Sequence, residues 1–382
     1  MILFIIIALV IYLSANYYVL IRLLQAFETA PYSAKLIISI TFIICTLSYL
    51  IARILLNNVD SIAYDIFLWI GSIWFAVLLY SILSIFLLDL IRWTNNSWSY
   101  LPKSLFNNYQ QTKFWTGIIT VTIISSIIII GYIHASNIKL KHLDFVFPKM
   151  EGNLDDLTIL FFSDLHLTPV NNGRMLDQLL NYSKKYNPDL VIIGGDLIDD
   201  QPMHLKRMQI DKMLTKFNSK YGIYAINGNH EFINGIERED EFIENCNIKL
   251  LRDTSITIAE SIQIIGREDR SIKQFSHKDR KPLSELIEIG NKKLPSILLD
   301  HQPFQLSEAQ LANINLELSG HTHYSQLFPL NFVLYFIYEQ PWGPLKKGNT
   351  HYYVSSGAGT WGPPIRVGSD SEAMLIHISF AK

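Results

Sequence analysis

The chain has 382 residues, enough for more than one domain, and 49% of them are apolar while only 17% are charged. Soluble domains average about 25% charged residues, so part of this chain is unusually apolar. The net charge of −2 excludes the strongly basic character typical of nucleic-acid-binding proteins, and the two cysteines, Cys45 and Cys246, lack the spacing of a metal site.

The first part of the chain has the pattern of a membrane domain. Four stretches contain no Asp, Glu, Lys or Arg: residues 2–21, 36–52, 66–88 and 114–138. Each is close to the roughly 20 residues that a helix needs to cross the hydrocarbon core. We therefore predict a membrane domain of four transmembrane helices over residues 1–140. The first run lacks the basic start and small-residue cleavage site of a signal peptide, so we expect a retained helix. A soluble all-α domain is the disfavoured alternative.

The basic residues of the short loops predict the orientation of these helices. Five of them lie in the first and third loops: Arg22, Lys35, Arg92, Lys103 and Lys113. The second loop carries only Arg53. Lys139, Lys141 and Lys149 follow the fourth helix, but charges that precede a long translocated domain count for little. We therefore expect a multi-pass cell-membrane protein whose C-terminal domain is extracytoplasmic.

From residue 141 the pattern changes to short apolar runs that end in polar residues, which predicts an α/β domain over residues 141–382. Five runs are predicted as buried strands: Leu157–Ser163, Leu190–Gly194, Gly222–Ile226, Ser296–Leu299 and Leu316–Leu318. A helix is predicted at Gly173–Tyr186, and further strands at Ile256–Ile265, His351–Ser355 and Glu372–Ser379.

Each of the five buried strands is followed by side chains that can bind metals. The motifs are Asp164-Leu165-His166, Gly195-Asp196-Leu197-Ile198-Asp199, Asn227-Gly228-Asn229-His230-Glu231, Asp300-His301 and Gly320-His321-Thr322-His323. Because ligands gather beyond the carboxyl ends of strands in open α/β sheets, we expect these motifs to meet. Mixed carboxylate and imidazole ligands suit Mn, Fe or Zn better than Ca or Mg. One such motif is common, whereas all five in this order predict a metal site.

With these motifs the sequence resembles the calcineurin-like metallophosphoesterase superfamily, whose pattern is DxH, GDxxD, GNHE, H and GHxH. The resemblance covers about residues 155–382 and implies a four-layer αββα sandwich with a site for two divalent ions, Mn, Fe or Zn. The implied metal ligands are Asp164, His166, Asp196, Asn229, His301, His321 and His323. Asp196 would bridge both ions. The resemblance also implies that His230, oriented by Asp199, is a non-ligand that protonates the leaving oxygen.

The activity implied by the resemblance is metal-dependent hydrolysis of a phosphodiester, a phosphomonoester or a pyrophosphate, by attack of a hydroxide that bridges the metals. Asp200 stands where the phosphoprotein phosphatases of the superfamily carry a phosphate-binding arginine, which disfavours a phosphoprotein substrate. The tail 355–364 resembles the bacterial membrane-associated phosphohydrolase branch. The expected partners are therefore the lipid bilayer and a phosphorylated, lipid-linked small molecule, and nucleic acid is not among them.

Three interpretations remain open at this point. A catalytically silent membrane receptor or scaffold would use the fold as a binding module, but such a protein is expected to lack a site residue. A transporter is disfavoured because the apolar runs are plain apart from Asn16 and scattered Ser and Thr. The basic segment 267–281 is interpreted as a solvated loop, with contact to anionic headgroups as the alternative.

Overall fold

The computed structural model describes residues 2–150, 152–171 and 173–381 and divides into two compact units, 1–132 and 133–382. The first unit is helical. Its helices are α1 (Ile2–Ala26), α2 (Tyr32–Leu50), α3 (Ile62–Trp98), α4 (Ser104–Asn107) and α5 (Tyr109–Ala135), and a π-helical stretch, Ile51–Leu56, prolongs α2. Helix α5 runs on into the second unit.

Four of these helical segments are long and apolar enough to cross a membrane. They are Ile6–Ala26, Tyr32–Leu56, Ile62–Trp98 and Tyr109–Ala135, with mean hydropathies of 1.8 to 2.3. The prediction of four apolar membrane-type helices is confirmed. Asn16 is buried among them, where its Oδ1 accepts hydrogen bonds from Thr46 Oγ1 at 2.9 Å and Trp74 Nε1 at 2.8 Å. Its polarity therefore serves the packing of the helices.

The second unit alternates strands and helices. Its helices are α6 (Arg174–Tyr186), α7 (Pro202–Arg207), α8 (Ile210–Leu214), α9 (Asn229–Asn234), α10 (Ile236–Asn245), α11 (Ile272–Ser276), α12 (Leu283–Ile289), α13 (Ser307–Leu311) and α14 (Asn331–Ile337). Its strands are β1 (Ile138–Pro148), β2 (Asp156–Phe162), β3 (Leu190–Ile193), β4 (Ile223–Ala225), β5 (Lys249–Leu250), β6 (Thr254–Ile258), β7 (Ile262–Gly266), β8 (Ser296–Leu299), β9 (Leu316–Ser319), β10 (Gly343–Lys347), β11 (Thr350–Val354) and β12 (Ser371–Ala381).

The strands form two six-stranded sheets, in the orders β1-β12-β2-β3-β4-β5 and β10-β11-β9-β8-β7-β6. Strand β2 shows how they stack. Leu160 and Phe162 pack with helices such as α6, whereas Ile159 and Phe161 pack against the second sheet at Ile297. The outer face of the second sheet is covered by α12 and α13. Because alternate residues of a strand face opposite sides, this arrangement gives four layers, helix, sheet, sheet and helix. The predicted α/β sandwich is confirmed.

Two parts of the sequence-based prediction differ from the structure. The predicted strand 256–265 is a hairpin of β6 and β7, because Ala259 and Glu260 adopt positive φ angles of 48° and 51° and reverse the chain. Neither residue is one of the glycines or asparagines that usually mark such turns. The predicted domain boundary between residues 140 and 141 falls inside β1, which directly follows α5.

Candidate metal centre

The polar motifs converge where the central strands end. β2, β3 and β4 are neighbours in one sheet and run parallel, as do β7, β8 and β9 in the other, so their carboxyl ends share one edge of the sandwich. Contacts at this edge connect all nine predicted site residues: Asp164, His166, Asp196, Asp199, Asn229, His230, His301, His321 and His323. The sequence-predicted site is therefore one cluster in the structure.

Three groups within this cluster have the composition and size of metal sites, and one of them consists of His166, Asp199 and His230. The two other groups share no residue with each other and form the two halves of the predicted centre. One contains Asp164, His166 and His323, and the other contains Asp196, His301 and His321. In each group, one ligand atom from every residue lies within 4.8 Å of the others. Asn229 joins the second group, since its Oδ1 lies 2.8 Å from Nδ1 of His321.

Asp196 lies between the two groups. Its Oδ2 is 3.1 Å from His301 Nε2 in its own group and 3.7 Å from His166 Nε2 in the other. The side chain is almost completely buried. A single carboxylate therefore borders both sets of ligand atoms.

The chemistry of the donor set fits divalent metal ions. Asp164 Oδ2 is buried and has no hydrogen-bond partner among the described residues. A buried carboxylate oxygen without a partner is costly in a folded protein, and a bound cation would satisfy it. Burial and the neighbouring His301 lower the pKa of His321 to about 3, so its imidazole is neutral, the form that binds metals.

The backbone at the ligands is strained in a consistent way. The φ angle is positive at five of them: 53° at Asp164, 45° at His166, 49° at Asp196, 70° at His321 and 50° at His323. For residues other than glycine this left-handed conformation costs on the order of 1–3 kcal/mol each and is found mainly at functional sites. The tight turns aim successive side chains from several strand ends into one small space.

Two glycines leave room for this close approach. A Cβ on Gly320 would lie 2.2 Å from Asp164 Oδ2. Gly195 has a φ of 92°, and a Cβ there would lie 2.6 Å from Nδ1 of His301. That nitrogen donates to the carbonyl of Gly194 at 2.8 Å, so Nε2, which faces Asp196, is the nitrogen of His301 that would bind a metal.

His230 and Asp199 form a separate pair beside the ligand groups. Nδ1 of His230 lies 2.7 Å from Asp199 Oδ1, and the backbone N–H of His230 donates to Asp196 at 2.8 Å. Burial lowers the pKa of His230, but the Asp199 and Asp196 carboxylates outweigh it and raise the pKa to about 9. The imidazole is thus held as a protonated hydrogen-bond donor.

Glu231 has a structural role that the sequence motif did not reveal. Its Oε1 accepts the N–H groups of Leu197 and Ile198 at 2.8 and 3.1 Å, and its Oε2 accepts those of Gly228 and Asp196 at 2.8 and 3.1 Å. One carboxylate therefore connects the loop after β3 to the loop after β4. The signal was present, because Glu231 follows Gly228 at the capping-box spacing.

Arg366 is a second residue that the sequence analysis missed. It is 1% exposed and donates to the backbone carbonyls of His323, Ser356, Gly357 and Gly359 at 2.6 to 3.2 Å. Burial lowers its pKa to about 10, which still leaves the guanidinium charged at neutral pH. Arg366 thereby connects the tail 355–364 to the backbone of the predicted metal ligand His323. A lone arginine in a loop gives no pattern from which to predict this.

Asp200, which the sequence analysis singled out, and Trp361 lie near the cluster without joining either ligand group. Asp200 is buried and accepts a hydrogen bond from His204 at 2.9 Å, so its carboxylate is directed into the protein. Trp361 is 54% exposed, and its ring centre lies 5.7 Å from that of His230. An aromatic surface therefore borders the non-ligand histidine.

An αββα sandwich with two adjoining carboxylate and histidine groups at its strand ends has the architecture of a dinuclear metal hydrolase. Residues 157–325 match the family model of calcineurin-like phosphoesterases. The second unit therefore contains a calcineurin-like phosphoesterase family-model domain over these residues, and that family depends on a dinuclear metal centre.

Several relatives share this domain. An uncharacterized metallophosphoesterase of Campylobacter jejuni is 36% identical over 250 residues, which cover 64% of this chain and 64% of that protein. Another from Helicobacter pylori is 30% identical over 63% of this chain and 64% of that protein. A "Transmembrane protein with metallophosphoesterase domain" of Danio rerio is 27% identical over 70% of this chain and 64% of that protein. The matches thus span slightly less than two thirds of these relatives.

Proposed function

We propose that this chain is a membrane-anchored, metal-dependent phosphoesterase. The observation that carries the proposal is the buried cluster in which Asp196 borders both groups of ligand atoms. Asp164, His166, Asp196 and His323 would hold one ion, and Asp196, Asn229, His301 and His321 would hold the other. When bound, two Mn, Fe or Zn ions lower the pKa of water to supply a nucleophile and neutralise charge on the phosphoryl oxygens.

The other residues of the site act on the substrate and its leaving group. Nδ1 of His230 is hydrogen-bonded to Asp199. Nε2 is therefore the nitrogen of His230 that can donate a proton to the leaving oxygen. Trp361 offers an apolar surface beside that nitrogen, suited to the organic part of a phosphate ester. The inward direction of Asp200 leaves a phosphoprotein substrate disfavoured.

The substrate that we propose is a phosphodiester, phosphomonoester or pyrophosphate of a lipid-linked small molecule. Support comes from the four membrane-type helices and from the short connection to the domain, since α5 ends at Ala135 and β1 begins at Ile138. Tethering by so short a connection would raise the effective concentration of a substrate that is also in the bilayer.

Purified full-length protein in detergent is expected to contain about two Mn, Fe or Zn ions per chain and to hydrolyse an aryl phosphodiester. A chelator should remove both the metal and the activity, and readdition of Mn or Zn should restore the rate. Mg serves as the comparison, because imidazole-rich sites favour the softer ions. Full turnover by a preparation shown to be free of metal would refute the proposal.

We also propose that the catalytic domain is extracytoplasmic, from the five basic residues in the first and third loops. Alkaline phosphatase fused after residue 150 should then be active in cells, and green fluorescent protein fused there should be dark. The matched control is the same pair of reporters fused after Ala30 in the first loop, which should give the opposite result. Fluorescence without phosphatase activity at position 150 would reverse the orientation.

A further inference from the structure

Helix α14 of the catalytic domain is apolar and exposed over most of its surface, with the half-buried Asn331 and Leu334 on one side. Five of its seven residues are large apolar or aromatic side chains with exposures of 57% at Phe332, 49% at Val333, 57% at Tyr335, 90% at Phe336 and 53% at Ile337. Phe328 and Leu330, just before the helix, are 46% and 39% exposed. A contiguous exposed apolar surface of this kind marks a site of contact with a partner or a membrane.

The character of this surface favours hydrocarbon as its partner. No Asp, Glu, Lys or Arg occurs from residue 318 to residue 338. A helix that docks in a protein groove needs one apolar face and keeps the other polar, whereas a lipid environment surrounds the helix. Tyr324 and Tyr338 flank the apolar side chains, and tyrosine prefers the boundary between lipid and water.

The length of α14 indicates how deep it can go. Seven residues of helix extend for about 10 Å, roughly a third of the 30 Å hydrocarbon core, so α14 cannot span a bilayer. Helices that lie in the interface bury their apolar side chains about 5–10 Å below the headgroups. The length and apolar character of α14 therefore suit an interfacial position and exclude a span.

The C-terminal half of the exposed helix lies beside the metal centre. Tyr324 directly follows the ligand His323, and its hydroxyl lies 3.1 Å from the hydroxyl of Tyr335 in α14. The ring of Tyr338, the residue after the helix, lies 6.2 Å from that of His321. The apolar surface therefore borders the site itself.

The strand register places the membrane connection at the same edge of the sandwich. Ile138, the first residue of β1, pairs with Ser371, the first of β12. Since β12 is antiparallel to β2, its beginning lies beside the end of β2, where Met374 pairs with Phe161. The chain thus passes from α5 into the domain at the edge that carries the ligands. The first residues of this domain and the metal ligands therefore lie at the same edge of the sandwich.

From these observations we propose that α14, with Phe328 and Leu330, inserts into the bilayer that anchors the chain and holds the metal centre at the level of the lipid headgroups. The relevance of this insertion for catalysis rests on the proposed function. The insertion itself is a contact with lipid that can be measured without any turnover.

The test uses the full-length chain in vesicles of phosphatidylcholine and phosphatidylglycerol. Phe336→Cys is made in a background with Cys45→Ser and Cys246→Ala and is labelled with an environment-sensitive fluorophore. The matched control is Ile289→Cys in the same background. Ile289 is also an exposed apolar residue, at 48%, but it precedes Gly290, which packs on Gln263 at the beginning of β7, the opposite edge. Lipids with a nitroxide near the headgroup or deep in the acyl chain serve as quenchers, and iodide probes exposure to water.

At position 336, lipids with a nitroxide near the headgroup are expected to quench most of the fluorescence, and iodide is expected to quench little of it. At position 289, iodide should quench the fluorescence and the nitroxide lipids should not. Strong iodide quenching at position 336 would overturn the proposal. Protection from iodide without nitroxide quenching would also overturn it, because a protein surface or a second copy of the chain would then cover the helix. Neither result depends on metal content or activity, so failure of the insertion is distinguishable from failure of the proposed function.

Discussion

Replacing Asp196 by Asn is expected to abolish phosphoesterase activity and to lower the metal content of the protein. The Asp196 carboxylate lies 3.1 Å from His301 and 3.7 Å from His166, at the border of both ligand groups. An asparagine has the same shape and tolerates the left-handed φ of 49° at this position, so the backbone can keep its conformation. What is lost is the negative charge shared by two cations. Loss of an outer-shell partner typically costs about 10–100-fold, and loss of a shared ligand should exceed that.

The measurement combines metal analysis of the purified variant with turnover of an aryl phosphodiester. Asp200→Asn is the matched control, because Asp200 is equally buried in the same loop and pairs with His204 rather than with a ligand group. It is expected to retain the metals. If Asp196→Asn binds metals and turns over like the native protein while melting normally, the two ligand groups do not form a shared centre.

The sequence predicted most of this fold because its strands are short, buried and followed by polar residues. It failed where a local signal was missing or hidden. The turn at Ala259 and Glu260 contains no glycine, so an apolar run concealed a hairpin. Strand β1 begins at Ile138, with only two residues between it and the end of α5, so its first three residues, 138–140, were included in the predicted membrane domain.

The predicted site residues meet in the structure because parallel strands end at one edge, a rule that needs no knowledge of side-chain contacts. That rule could not predict residues whose role depends on tertiary contacts. Arg366 binds carbonyls contributed by two separate loops. In the basic segment 267–281, Arg267 and Arg280 lie 3.2 and 3.0 Å from the buried carboxylate of Asp300. Both arginines therefore form ion pairs inside the domain. For these two residues, the interpretations of the segment as a solvated loop or as a headgroup site are both wrong.

Replacing His230 by Ala is expected to slow turnover by roughly 10²–10⁴-fold, the usual effect of losing a general acid, with the metal content near that of the native protein. The imidazole is bound through Nδ1 to Asp199 at 2.7 Å, and the pKa of about 9 keeps it protonated at neutral pH. The exposed His277→Ala is the control, and it should leave turnover and metal content unchanged. Loss of the metals in His230→Ala would make His230 a ligand instead.

Two further comparisons separate proton donation from a purely structural effect. An aryl ester leaves as a stable phenolate and needs little protonation, whereas an alkyl ester needs a proton on its leaving oxygen. The loss in His230→Ala should therefore be much larger for the alkyl ester, and an equal loss for both would contradict general acid catalysis.

Asp199 touches His230 and should act through it. Asp199→Asn is expected to slow the native protein but to add little in the His230→Ala background, because residues that act as a unit are strongly non-additive. A full additional loss in the double variant would mean that Asp199 has a role independent of His230. His166 is the nearest candidate for that role, since its Nδ1 lies 3.6 Å from Asp199 Oδ2. The same carboxylate would then orient a metal ligand as well as the proton donor.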